Sequence, residues 1–89
     1  MLSSEDLHPK QGARFVFLRE GEAPLNYRVE VYLPETRRID TRLRWDEDSG
    51  TPVVEPAVDD AAVLDQLIKL ARVLKRSAAP RLTRWRDVP

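Results

Sequence analysis

Apolar and polar residues alternate along three short segments in the first half of the chain, and residues 58–79 follow a helical period. The alternating segments are 13–19, 25–33 and 38–46. Alternation turns every second side chain to one face of a strand, so we predict three β-strands. The turn residues 34–37 separate the second and third segments, and these two segments are predicted to form an antiparallel hairpin.

The register of this hairpin follows from burial and charge. Pairing Val29 with Leu43 lines up apolar residues on one face and sets Glu30 opposite Arg42 on the other. A slip of one residue would turn charged side chains into the core, so we expect this register.

The first segment is apolar on both faces, because Phe15 and Phe17 alternate with Val16 and Leu18. One face is expected to meet the helix. The other face is then either uncovered and available to a partner, or buried by a second copy of the chain in a larger, dimeric sheet.

Residues 58–79 predict one long amphipathic helix. Asp59 or Asp60 is the expected N-cap, and Pro80 ends the helix because it lacks a backbone N–H. The apolar arc spans roughly 160°, which suits a helix lying across a sheet. Its members are Val63, Leu64, Leu67, Ile68, Leu70, Ala71 and Leu74.

The order of these elements, with strands first and the helix last, predicts an α+β fold. Residues 51–55 are a candidate fourth strand, which Pro52 and Pro56 confine to a sheet edge or make an extended crossing. We therefore expect a three- to four-stranded antiparallel β-meander packed by one C-terminal α-helix.

The 89 residues are expected to form one small domain. Residues 13–79 are assigned to it, residues 1–12 to a flexible leader, and residues 80–89 to a basic tail that contains Trp85. A core this small gives marginal stability, so self-association as a homodimer is expected. The chain has no cysteine, which excludes disulfides and thiolate–zinc sites, and the lone His8 builds no metal site.

Charge is unevenly distributed although the net charge is zero. Residues 69–89 contain seven basic residues and one acidic residue, a net charge of +6, and residues 1–68 have a net charge of −6. This asymmetry indicates either a basic contact surface or an attraction between the two halves of the same molecule.

The sequence favours a cytoplasmic protein without membrane contact. No apolar run is long enough to span a bilayer, and residues 1–6 have neither the basic nor the apolar region of a secretory signal. Arginine outnumbers lysine twelve to three, and this preference for residues with GC-rich codons is typical of a high-GC bacterium.

No residue pattern indicates catalysis, a cofactor or a bound metal. The acidic run 46–48 lacks the alternate spacing of the oxygen ligands in a calcium loop and is interpreted as a solvated turn. His8 has no serine or cysteine partner at a recognisable spacing. The chain is therefore predicted to be non-enzymatic.

The segment 81–86 has four interpretations. In the first, Leu82 and Trp85 pack back on the sheet while the arginines meet the acidic half of the chain. In the second, tryptophan and arginine anchor a protein interface. In the third, they stack on bases and neutralise phosphates. In the fourth, they lie at an anionic membrane surface.

The leading hypothesis is a protein–protein interaction module, an adaptor or regulatory subunit, that acts through the uncovered sheet face and the tail. The alternative is a nucleic-acid-binding regulator that uses the basic end of the helix and the tail. The residues predicted to contact a partner are Val16, Leu18, Arg28, Tyr32, Arg42, Arg44, Arg81, Arg84, Trp85 and Arg86.

Overall fold

A computed structural model of the chain describes residues 8–21, 26–77 and 79–88. Within these ranges five strands form one antiparallel sheet in the order β4-β3-β2-β1-β5, and one helix packs on it. The α+β fold is confirmed, with one strand more than the sequence predicts. The elements are β1 (Ala13–Arg19), β2 (Tyr27–Tyr32), β3 (Arg38–Trp45), β4 (Pro52–Glu55), α1 (Ala61–Ser77) and β5 (Arg81–Arg86).

Strand β5 corrects the prediction that residues 80–89 form a tail. It pairs with β1 from Leu18, opposite Arg81, to Ala13, opposite Arg86. Only Leu82 of this strand is buried, so the alternation that identifies a strand in the sequence is absent here. Both sides of β1 are paired within one chain, and no second copy is needed to place β1 inside a sheet.

The register of β2 and β3 is shifted by two residues from the prediction. Val29 pairs with Thr41 and not with Leu43, although every side chain stays on its predicted face. The turn causes this shift, because the Leu33 N–H donates to the Arg37 carbonyl at 2.9 Å and leaves only residues 34–36 between this bonded pair.

The shifted register brings two carboxylates together on the outer side of the hairpin. Glu30 lies opposite Asp40, where the prediction placed Arg42 opposite Glu30. Arg38 compensates for this repulsion, since its guanidinium binds Asp40 at 2.8 Å and Glu30 at 3.1 Å.

Helix α1 begins three residues later than predicted. Of the two expected N-caps, Asp60 is the one used, because its Oδ1 accepts the N–H groups of Ala62 and Val63 at 3.0 and 3.2 Å. At the other end, the Tyr27 hydroxyl donates to the Ala79 carbonyl at 2.7 Å. Burial raises the pKa of this phenol. The bond fixes the helix end beside the start of β5.

Helix α1 packs on one face of the sheet, here called the inner face, and Lys75 in its last turn donates to the Gly50 carbonyl in the β3–β4 turn at 2.9 Å. Strand β4 lies at an edge, as its prolines predict. No helix in the described part of the chain is long and apolar enough to cross a membrane. The core between α1 and the inner face contains Ala13, Phe15, Phe17, Tyr27, Val29, Val31, Leu33, Leu43, Val58, Val63, Leu67, Leu70, Ala71, Leu74 and Leu82.

Leu67 lies at the centre of this contact and is fully buried. We expect Leu67→Ala to lower the free energy of unfolding by about 2–5 kcal/mol, because it removes apolar contacts and leaves a cavity. The exposed Arg72→Ala control on the same helix should change it by no more than about 0.5 kcal/mol. Urea denaturation measures both changes, and equal effects of the two substitutions would contradict the helix orientation.

Candidate interaction surface

The sheet face opposite α1, here called the outer face, has no helix on it in the described part of the chain. The strand registers place on it eight of the ten residues predicted to contact a partner. Arg84 and Arg86 are the exceptions, because they lie opposite Phe15 and Ala13 and so belong to the inner side. The eight on the outer face are Val16, Leu18, Arg28, Tyr32, Arg42, Arg44, Arg81 and Trp85.

Two of the predicted contact arginines are already in ion pairs. Arg42 binds Glu20 at 3.4 Å, and Arg44 binds Glu55 across the β3–β4 pair at 3.1 Å. All four side chains are substantially exposed. Exposed pairs of this kind contribute about 0–1 kcal/mol each, so a charged partner is able to displace them.

Arg28 and Arg81 differ from these arginines. They lie on either side of Leu18 in one row across β2, β1 and β5. Both are exposed, and neither makes an ion pair with a carboxylate of the described residues. Leu18 and its neighbour Val16 are half-buried. The outer side of β1 is therefore an apolar strip with a cation on each side of Leu18.

Of these residues, Arg28 also lines a depression in the outer face. The lining includes the Arg42–Glu20 and Arg44–Glu55 ion pairs. The outer-face residues that line it are Glu20, Arg28, Asp40, Arg42, Arg44, Val53 and Glu55.

Tyr32 is covered, contrary to the expectation that it is open to a partner. It is only 4 % exposed. The His8 ring packs edge-on against it, with centroids 5.2 Å apart, and the Arg38 guanidinium lies 5.4 Å from its centroid. Burial raises the pKa of the Tyr32 phenol, and the Glu30 carboxylate raises it further. Tyr32 is thus a packing residue at one end of the outer face.

The predicted leader contributes to this covering. The His8 Nδ1–H donates to the Leu33 carbonyl at 2.7 Å, since a carbonyl only accepts. His8 is therefore held on the sheet although the prediction places it in a flexible leader, and residues 1–7 lie outside the described residues. No local pattern indicates the His8 contact, because it joins positions 25 residues apart.

Trp85 lies against the same leader and is still 44 % exposed. Its indole N–H donates to the Gln11 carbonyl at 2.9 Å. Gly12 has a φ of +73°, and a Cβ there would lie 2.6 Å from both Trp85 Cζ2 and the Arg86 carbonyl oxygen. The indole position thus depends on a glycine that the sequence analysis did not single out.

The arginines of β5 do not meet the acidic half of the chain directly. Arg81, Arg84 and Arg86 contact no carboxylate among the described residues. Instead, Arg84 donates to the Thr83 carbonyl at 2.8 Å and Arg86 donates to the Trp85 carbonyl at 3.0 Å. Of the interpretation in which this segment packs back on the sheet, the packing of Leu82 is seen and the ion pairs are not.

The acidic turn has a structural role. Asp46 Oδ1 accepts the N–H groups of Asp48 and Ser49 at 2.8 and 3.2 Å, and these bonds lower the pKa of the Asp46 carboxyl. Within the described ranges, no three His, Cys, Asp or Glu side chains are grouped to bind a metal.

Comparison of the chain with protein-family models, with curated proteins and with solved structures finds no match.

Two glycines give a matched test of the Trp85 position. Gly12 and Gly21 both have positive φ, of +73° and +65°, but a Cβ at Gly21 meets nothing within 4 Å. Gly21→Ala should cost about 1–2 kcal/mol of unfolding free energy from backbone strain alone. Gly12→Ala should cost about 1–3 kcal/mol more, because its methyl group overlaps the indole.

Urea denaturation measures this difference, and tryptophan emission should shift only in Gly12→Ala. Equal stabilities and equal spectra of the two variants would show that the indole does not lie on Gly12.

Proposed function

We propose that this chain is a small non-enzymatic protein-interaction module, an adaptor or regulatory subunit, that docks a partner on its outer face and β5. The observation that carries this proposal is the half-buried strip of Val16 and Leu18, in which Leu18 lies between Arg28 and Arg81. An apolar strip on a sheet face that no described element covers is typical of an interaction site.

The composition of the surface supports a protein partner. Tryptophan and arginine are enriched among residues that dominate binding energy at protein interfaces. Trp85 is the most exposed large apolar side chain of the described residues, at 44 %. It shares the outer face with the Val16 and Leu18 strip and with two arginines that have no described carboxylate partner.

Matched pairs of arginine substitutions test this proposal. Arg28→Ser with Arg81→Ser removes both cations of the outer face, and Arg72→Ser with Arg76→Ser removes two exposed cations from the helix. Each double variant loses the same charge without breaking a described ion pair. The wild type and both variants are immobilised and incubated with an extract of the native host, and the bound proteins are quantified by mass spectrometry. We expect a partner protein that the wild type and the helix variant bind equally.

The outer-face variant should retain this protein about tenfold less, which corresponds to a loss of about 1.4 kcal/mol. Equal capture by all three proteins would remove the outer face as the docking surface.

The same proposal includes a homodimer as its simplest form, and light scattering tests that form: Leu18→Ser should shift a dimer to monomer. A strict wild-type monomer would exclude it.

Nucleic-acid binding is the second candidate, and one observation favours it. The three β5 arginines make no described ion pair, and the exposed Trp85 lies between two of them in the strand. Arginine and tryptophan together neutralise phosphates and stack on bases. This candidate has a distinct signature, because phosphate contacts release counterions and make the affinity depend steeply on salt.

A fluorescence titration with single-stranded and duplex DNA of random sequence tests this candidate. Between about 50 and 200 mM salt, a site with several phosphate contacts should lose affinity by orders of magnitude. Arg84→Ser with Arg86→Ser should reduce the salt dependence, and so should the helix variant, because this candidate also uses the basic end of the helix. The exposed Arg37→Ser in the β2–β3 turn serves as the control. The absence of binding at low salt would exclude this function.

A further inference from the structure

Strand β5 presents one side of its backbone to the edge of the sheet. The Pro80 carbonyl accepts the Arg19 N–H at 2.9 Å, which places the even-numbered residues of this segment in bonding contact with β1. Backbone groups alternate in direction along an antiparallel strand. The N–H and C=O groups of Arg81, Thr83 and Trp85 therefore point to the side where no described strand lies.

Two of these outward carbonyls are occupied by side chains of the same strand. Thr83 O accepts from Arg84 Nη1 at 2.8 Å, and Trp85 O accepts from Arg86 Nη1 at 3.0 Å. Natural sheets commonly protect an edge with charged side chains, since an open edge pairs with other chains. Here the guanidiniums protect the carbonyls themselves.

We propose that the edge of β5 pairs with an extended acidic segment of a partner protein, which names the partner chemistry of the proposed function and rests on it. Arg84 and Arg86 contact no described carboxylate, so their charges are available to such a segment. A carboxylate attracts each guanidinium away from its carbonyl through a stronger, charge-assisted hydrogen bond. The freed carbonyl then accepts an N–H of the incoming strand.

The same geometry selects against other strands. A neutral strand would displace two guanidinium–carbonyl bonds and supply no carboxylate in return. A second copy of β5 would also bring arginines beside Arg84 and Arg86, and like charges across a strand pair are destabilising. The edge is therefore specific for acidic segments by repulsion as well as by attraction.

The side-chain order of β5 defines the pattern in the partner. Residues opposite each other on paired strands share a face. Partner residues opposite Arg84 and Arg86 are therefore acidic and two positions apart, about 6.8 Å along the strand. The residue between them lies opposite Trp85, whose indole is 44 % exposed, and is apolar. The segment thus reads acidic–apolar–acidic.

A fluorescence-anisotropy titration of the full chain with a synthetic peptide of alternating glutamate and valine tests this proposal. Two control peptides carry lysine in place of glutamate, or N-methyl groups on the amides that would pair with β5. The glutamate peptide should bind, and each control should bind at least about tenfold more weakly, since each loses charge-assisted or backbone bonds. Peptide binding should also shift the amide resonances of Thr83 and Trp85.

Matched variants complete the test. Arg84→Ser with Arg86→Ser should weaken peptide binding about tenfold, and Arg72→Ser with Arg76→Ser should change it less than about twofold. Equal affinity of the protein for all three peptides would overturn the proposal. Equal affinity of the two variants for the glutamate peptide would overturn it as well. Binding of single-stranded oligothymidine without binding of the glutamate peptide would overturn it in favour of nucleic acid.

The failure of this proposal is distinguishable from failure of the proposed function. If no peptide binds while the Arg28 and Arg81 variant still loses a captured protein, the proposed interaction module is supported and the pairing of β5 with an acidic segment is excluded. If capture is unaffected by that variant while the glutamate peptide binds as described, the edge and not the outer face is the docking surface.

Discussion

The pairing of β1 on both sides is the constraint on which the rest of the structure depends. Strand β1 is apolar on both faces and lies between β2 and β5. Because β5 follows the helix in the chain, the connection that contains α1 has to pass from the β4 edge to the far edge of the sheet. Within this connection α1 covers the inner face, including Phe15 and Phe17, and leaves Val16 and Leu18 on the side without a helix. The interaction surface is thus a consequence of topology.

The charges on that surface divide into two classes by their contacts. Arg38, Arg42 and Arg44 are bound to carboxylates of the same face and chiefly compensate for them. Arg28 and the three arginines of β5 make no such pair with described residues. The basic C-terminal segment therefore becomes a cationic edge of the sheet at β5, and Arg28 adds a cation on the other side of Leu18. Both proposals depend on these cations. Docking on the outer face uses their side chains, and pairing at the edge of β5 also uses the backbone.

The sequence predicted the elements whose buried residues recur at a regular spacing. Alternation gave the bounds of β1, and the helical period gave the buried face of α1. It missed β5, because backbone pairing to β1 places this strand and only Leu82 needs to be apolar. It missed the hairpin register by two residues because Glu35 and Thr36 both adopt positive φ, which few turns demand of such residues. The covering of Tyr32 by His8 is a long-range contact without a local signal.

Amide hydrogen exchange along residues 81–86 tests the central claim most directly, because it reports which backbone groups are bonded. If β5 is the edge strand paired with β1, the N–H groups of Leu82, Arg84 and Arg86 are protected, and those of Thr83 and Trp85 exchange rapidly. The same alternation should be absent from β1, whose amides are bonded on both sides. Uniformly fast exchange of all five amides from Leu82 to Arg86 would contradict the pairing of β5 and the topology that depends on it.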